Sequence, residues 1–125
     1  MISYDEFKKV EVRAGKILSA EKIPDTDKLL KLSVDFGEKK VVPPAEEGGV
    51  ATEEPSYRQI VSGIAMHFPD PSVLVGTTCM FVTNLEPRTI RGLESQGMIF
   101  AVSSPEGGFS LLKPNETIPP GALAA

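Results

Sequence analysis

Between Asn84 and Met98 the chain gathers amide, guanidinium, hydroxyl and thioether groups: Asn84, Arg88, Arg91, Ser95, Gln96 and Met98. Guanidinium groups bind phosphate oxygens, while amides and hydroxyls reach bases and the ribose 2′-OH. Held on a rigid scaffold, this set is the chemistry of an RNA contact segment. Lys28 with Lys31, and Arg58 with Ser62, add two shorter polar clusters. The same residues also read as an ordinary polar loop, with Arg88 and Arg91 solvated, Asn84 capping a turn, and Ser95 and Gln96 satisfying local backbone groups. Residue types alone reach a binding module and leave both readings open.

Catalysis has little to work with. A nucleophile and base pair would join Cys79 or a serine to His67, the only histidine, yet Cys79 lies in an apolar, β-branched run where a thiol is an inert core residue. Asp25/Asp27 and Glu53/Glu54 are paired carboxylates, but they fall in a turn and a loop, where turn-forming and solvating roles account for them. One cysteine and one histidine fall short of the four ligands of a structural zinc site. The expectation is no enzyme, no metal and no cofactor. The single thiol also fits a reducing compartment, and the chain has neither a basic start with an apolar run nor a stretch able to cross a bilayer. Cytoplasm is the expected setting, with no membrane partner.

The charge balance, 17 acids against 13 bases, is unpromising for a polyanion partner until the acids are located. Val41 to Tyr57 holds Glu46, Glu47, Glu53 and Glu54 and no lysine or arginine, so the rest of the chain is neutral.

The elements that must position these groups are short. Ser3-Tyr4-Asp5-Glu6 has capping-box spacing, with Ile2 and Phe7 at the staple positions, predicting a helix over roughly residues 4 to 9. Val10 to Ile23 reads as one long strand bent at Gly15, ended by Pro24-Asp25-Thr26-Asp27. Leu30, Leu32, Val34 and Phe36 alternate with Lys31, Ser33 and Asp35, the pattern of a half-buried strand. Residues 38–57, with paired prolines, paired glycines and scattered glutamates, read as an inserted acidic flexible loop unable to sustain a ladder. Arg58 to Ile64 resumes a strand, Asp70-Pro71 opens a helical turn, and Thr77 to Leu85 is the candidate central strand. Glu86 to Gly92 reads as a loop, Gly97 to Val102 as a strand, Phe109 to Leu112 as a closing strand, and the tail as extended. At 125 residues this is one domain. The fold class is all-β: a five-stranded OB-fold Greek-key barrel with a short N-terminal helix and a short helix between strands 3 and 4.

Four blocks carry a resemblance. Val12 to Ile17 (VRAGKI), Asp27 to Leu32 (DKLLKL), Arg58 to Ile64 (RQIVSGI), and Asn84 to Pro87 followed by Arg91 to Met98 (NLEP…RGLESQGM) resemble the tRNA-binding domain family. That family includes the C-terminal domain of methionyl-tRNA synthetase and free-standing tRNA-binding proteins. The resemblance covers nearly the whole chain apart from the acidic stretch. It implies an OB-fold that recognises tRNA by shape, largely without reading sequence, as a homodimer that assists aminoacylation or tRNA handling in trans, with an aminoacyl-tRNA synthetase as a second candidate partner. The alternative of different class is a dimeric protein-binding, chaperone-like or synthetase-docking module of the same fold. Carried over by position, Lys28, Lys31, Arg58, Ser62, Asn84, Arg88, Arg91, Ser95 and Met98 would contact tRNA. Met98 reads equally as core. Ile2, Tyr4 and Phe7 would lie at a dimer interface, Phe7 alternatively covering the barrel end.

Overall fold

The computed structural model describes residues 1–125. Alternation in the second strand does what period-2 burial requires: Leu30, Leu32, Val34 and Phe36 are all buried, and Lys31, Ser33 and Asp35 take the other face. The strand is β2 (Leu30–Val42), antiparallel to β1 (Val12–Lys22) and β3 (Thr52–Ser62). With β4 (Thr78–Val82) and β7 (Met98–Ile99) they form one sheet in the order β3-β2-β1-β4-β7. β1 changes neighbour along its length, pairing with β4 from Val12 to Lys16 and with β2 from Lys16 to Lys22. That exchange curls the sheet around a core containing Ile17, Leu32, Ile60, Cys79 and Phe81, with Phe36 edge-on to Phe81 at a centroid distance of 5.1 Å. The result is all-β and OB-like, as expected.

Several local expectations are corrected. The irregularity in β1 falls between Ile17 and Ser19, not at Gly15. Gly15 pairs in register with Cys79, and a Cβ on it would sit 2.6 Å from Val34 Cγ1, so its hydrogen serves close packing rather than a bend. Residues 38–57 are not a loop throughout. The β2–β3 ladder resumes at Lys39↔Pro55 and runs through Lys40↔Glu54 and Val41↔Glu53 to Val42↔Thr52. Pro55 is tolerated because β3 is an edge strand, and the prolines and glycines that argued against pairing lie at the tip, residues 43–51.

The stretch from Arg88 is a hairpin of β5 (Arg88–Ile90) and β6 (Leu93–Ser95). Its two-residue turn, Arg91-Gly92, has φ of +53° and +79°, the left-handed pair that a tight hairpin matching strand twist demands. The expected strand from Gly97 to Val102 divides at Phe100: β7 stays on the sheet, while β8 (Ala101–Ser103) pairs with β9 (Phe109–Leu111).

The capping box holds, Ser3 Oγ accepting from the Glu6 amide at 3.1 Å, but α1 is a single turn, Tyr4–Phe7. Two 3₁₀ turns, Ala65–His67 and Pro71–Leu74, stand between β3 and β4, the second capped by Asp70. The tail runs along the half of β1 that β2 leaves free: the Gly121 amide donates to the Ala14 carbonyl (2.7 Å), the Ala14 amide to Ala122 (2.9 Å), and the Ala124 amide to Val12 (2.8 Å). No helix is long and apolar enough to cross a membrane.

Candidate nucleic-acid interface

Residues opposite one another in a ladder share a sheet face, so register sorts the expected site before any side chain is inspected. Lys31 stands opposite Val61, with Ser33 opposite Gln59 and Asp35 opposite Tyr57. Ser62 stands opposite buried Leu30, and Arg58 opposite buried Val34. Lys31 is therefore on the outer face and Arg58 and Ser62 on the core side. The β2–β3 hairpin does not bring all three together, although Arg58 borders the same shallow surface as Lys31 and Ser62 does not.

Arg58 is held from three sides. Its Nε and Nη2 donate to the two carboxylate oxygens of Glu38, each at 2.8 Å, and Nη1 donates to the Thr83 carbonyl at 2.6 Å and more weakly to Gln96 at 3.3 Å. The guanidinium also lies 5.4 Å from the centroid of the Phe36 ring. Hydrogen bonding to the guanidinium holds the Glu38 carboxyl below its ordinary range, and the same bonds push Arg58 up. Its donors face inward, tying β3 to β2 and to the segments after β4 and β6.

Asn84 and Ser95 also have partners. The Glu11 amide donates to Asn84 Oδ1 at 2.8 Å, and Asn84 Nδ2 donates to the Lys9 carbonyl, which moors the segment before β1. Ser95 is only 5% exposed; its Oγ accepts from the Val61 amide at 2.9 Å and donates to the Gly97 carbonyl at 3.1 Å. Gln96 completes this seam, its amide donating to the Gln59 carbonyl (2.8 Å) and its Oε1 accepting from the Gln59 amide (3.0 Å). β3 and the chain after β6 thus meet through side-chain bonds where no regular ladder forms. A Cβ on Gly97 would lie 2.9 Å from the Val82 carbonyl, so only glycine lets the seam close. Asn84, Ser95 and Gln96 bond protein backbone, but groups distant in the chain rather than the turn or local groups of the polar-loop reading.

The remaining cations face solvent. Lys28, in the β1–β2 turn, and Arg91, at the tip of the β5–β6 hairpin, line one crevice of about 350 Å³ with Asp25, Thr26 and Asp27. Both are exposed and neither is in an ion pair, although the two aspartates temper the local field. Arg88 and Met98 border a smaller crevice of about 90 Å³ beside Leu85, Glu86 and Ile90. Met98 is 45% exposed and is not part of the core cluster. Lys31 reaches Glu21 at 3.5 Å and shares a shallow surface with Tyr57, Ser33 and Gln59. Those three neighbours were not singled out from sequence, although counting two residues at a time from Lys31 and from Val61 puts them on its face.

Cys79 is fully buried, and burial pushes its thiol up, away from the thiolate a nucleophile needs. No three His, Cys, Asp or Glu side chains are grouped to hold a metal. α1 and the tail border an apolar cleft of about 360 Å³ lined by Tyr4, Phe7, Val10, Val12 and Leu123.

A profile of the family described as "Putative tRNA binding domain" matches residues 49–123. The chain belongs to that family. This tRNA-binding-domain chain is 37% identical over 121 residues to a methionine–tRNA ligase of Enterococcus faecalis and 44% identical over 121 residues to one of Methanosphaerula palustris. Each alignment takes in 97% of this chain but only 16% and 15% of those relatives, so the likeness is to a small part of each synthetase. Among solved structures, a MetRS related protein from Pyrococcus horikoshii superposes with a TM-score of 0.81 at 36% identity, covering 100% of this chain and 98% of that one. A CsaA chaperone protein from Picrophilus torridus, 21% identical with a TM-score of 0.75 and 100% coverage of both chains, shares the fold. The family is described by tRNA binding, not by catalysis.

Proposed function

We propose that this chain binds the folded body of tRNA as a homodimer, largely without reading base sequence, and assists aminoacylation or tRNA handling in trans in the cytoplasm. The observation that carries the reading is the meeting of Lys28 and Arg91, from two separate connections, in one crevice with no carboxylate in an ion pair with either. In OB-type folds the second and third strands and these connections form the oligonucleotide surface. Lys28, Arg91, Arg88 and Lys31 are the phosphate contacts of the proposal, with Met98 beside them. Arg58, Asn84 and Ser95 support the scaffold, and Ser62 lies opposite buried Leu30.

Sequence independence follows from what is left over. Asn84, Ser95, Gln96 and Gln59, the amides and hydroxyl suited to base edges, are engaged with protein backbone. Charge and shape remain, and phosphate contacts position a ligand without reporting its sequence.

The proposed dimer rests on α1: Tyr4 (72% exposed) and Phe7 (52%) line the apolar cleft, and Ile2 (66%) is exposed just before them. A second copy would cover this surface and double a sparse set of cations. A synthetase is the partner to which bound tRNA would pass.

Filter retention of bulk tRNA at two salt concentrations tests the reading. Wild type should lose affinity steeply with salt as condensed counterions cease to be released, and Arg91→Ala should flatten the slope by about one unit per copy engaged. Sedimentation should give a dimer that Phe7→Asp converts to monomer. Retention insensitive to both salt and Arg91→Ala would overturn it in favour of a protein-binding module.

A further inference from the structure

Near the turn that carries Lys28, His67, Phe68 and Phe109 form an aromatic stack. His67 ends the first 3₁₀ turn, and its ring lies flat on that of Phe109, with centroids 3.8 Å apart and planes 3° from parallel. Phe68 meets Phe109 edge-on at 5.9 Å and 75°. Phe68 and Phe109 both pack against the core, so the stack is braced from below, whereas His67 is exposed. Neither ring nitrogen of His67 makes a hydrogen bond within the chain. One face of the imidazole lies against Phe109, and the residue as a whole is solvent-exposed.

The surroundings suit a nucleotide. A depression of about 390 Å³ is bordered by His67, Phe109, Ser110 and Lys113, and Lys113 is in no ion pair. The turn is also tied to the phosphate surface, because the Ala65 amide donates to the Lys28 carbonyl at 3.0 Å. The stack and the Lys28/Arg91 crevice therefore lie at the same end of the barrel, on segments joined by a backbone bond.

We propose that the outer face of His67 is a stacking site for one unpaired nucleobase of the RNA bound at Lys28 and Arg91, with Lys113 meeting that nucleotide's phosphate. The site rests on the tRNA-binding reading and extends it from backbone charge to a base contact. Stacking uses a π-face that every base has, so the site adds affinity without adding sequence selectivity.

The test compares wild type with His67→Ala, His67→Tyr and Lys113→Ala, each confirmed folded by thermal unfolding. His67→Ala should raise the Kd for bulk tRNA at least about fivefold, the low end of one stacked base, and leave the salt slope unchanged. His67→Tyr should hold the Kd within about twofold of wild type by restoring an aromatic plane. Lys113→Ala should flatten the slope by about one unit per copy engaged. A short single-stranded RNA carrying 2-aminopurine should have its fluorescence changed by wild type and His67→Tyr but not by His67→Ala, a difference that a merely structural role of the ring would not produce. Wild-type tRNA retention unaltered in His67→Ala overturns the stacking site alone, and so does an equal loss in the alanine and tyrosine variants. Failure of wild type to retain tRNA overturns the proposed function itself.

Discussion

Arg58→Ala separates a scaffold arginine from a phosphate-binding one. The substitution removes two bonds to Glu38, the 2.6 Å bond to Thr83, the weaker bond to Gln96, and the contact with the Phe36 ring. The Glu38 side chain is 40% exposed and that of Arg58 24%, so solvent screens the ion pair and its share is about 1 kcal/mol. The Thr83 carbonyl loses a charged donor, worth about 1.5 kcal/mol, and the ring contact and buried stem add about 0.5 to 1 kcal/mol. The total, about 3 kcal/mol, should lower the urea midpoint by roughly 1.5 M and the melting temperature by about 10 °C. Urea unfolding followed by circular dichroism gives the first, and filter retention of tRNA well below the transition gives the companion readout. Folded Arg58→Ala should keep the wild-type salt slope, because no phosphate contact is removed. An unchanged urea midpoint together with a slope flattened by about one unit would refute the reasoning and return Arg58 to the RNA surface.

Two further outcomes follow from the same geometry. Arg91 occupies a left-handed conformation in front of Gly92, so Arg91→Asn, which creates the preferred Asn-Gly turn, should stabilise the fold by about 0.5 to 1 kcal/mol while flattening the tRNA salt slope by about one unit; urea unfolding and retention on one preparation check both signs. Arg58 lowers the pKa of Glu38, so the stabilisation from that carboxylate is fully present above the ordinary value of 4.5 and is lost as pH falls through the depressed folded value. Glu38→Gln should accordingly be less stable than wild type near neutrality, with the gap narrowing as the medium is acidified below pH 4.5, measured as urea midpoints across that range.

Arg91→Asn is the more informative of the two for function, since the residue predicted to grip phosphate sits where the backbone would prefer asparagine or glycine. Strained backbone of this kind persists where something other than stability retains it. Lys28 lines the same crevice from the turn at Asp25, which also has a positive φ but is a residue type that takes it readily, so of the two turns only that at Arg91 is at odds with local preference.

The amino-acid sequence by itself determined the features that depend on neighbours a few residues away. The period-2 run from Leu30 to Phe36, the Ser3/Glu6 capping box and the Asp70-Pro71 turn all emerge as read, because their physics is local. The hairpin at Arg91-Gly92 escaped notice because arginine is an unusual occupant of its first turn position, and the β2–β3 ribbon because its breakers sit at the tip. Only the tertiary structure decided what the polar side chains do. Arg58, Asn84 and Ser95 have the chemistry of RNA contacts, yet their donors and acceptors meet backbone groups distant in the chain: Thr83, Glu11 and Val61 respectively. Lys28, Arg88 and Arg91 remain free for a ligand. A buried carbonyl or amide left without a partner costs more than a solvated one, so bringing β3 against the chain after β6 claims the nearest side chains first, and residue type carries no record of which ones lie at the seam.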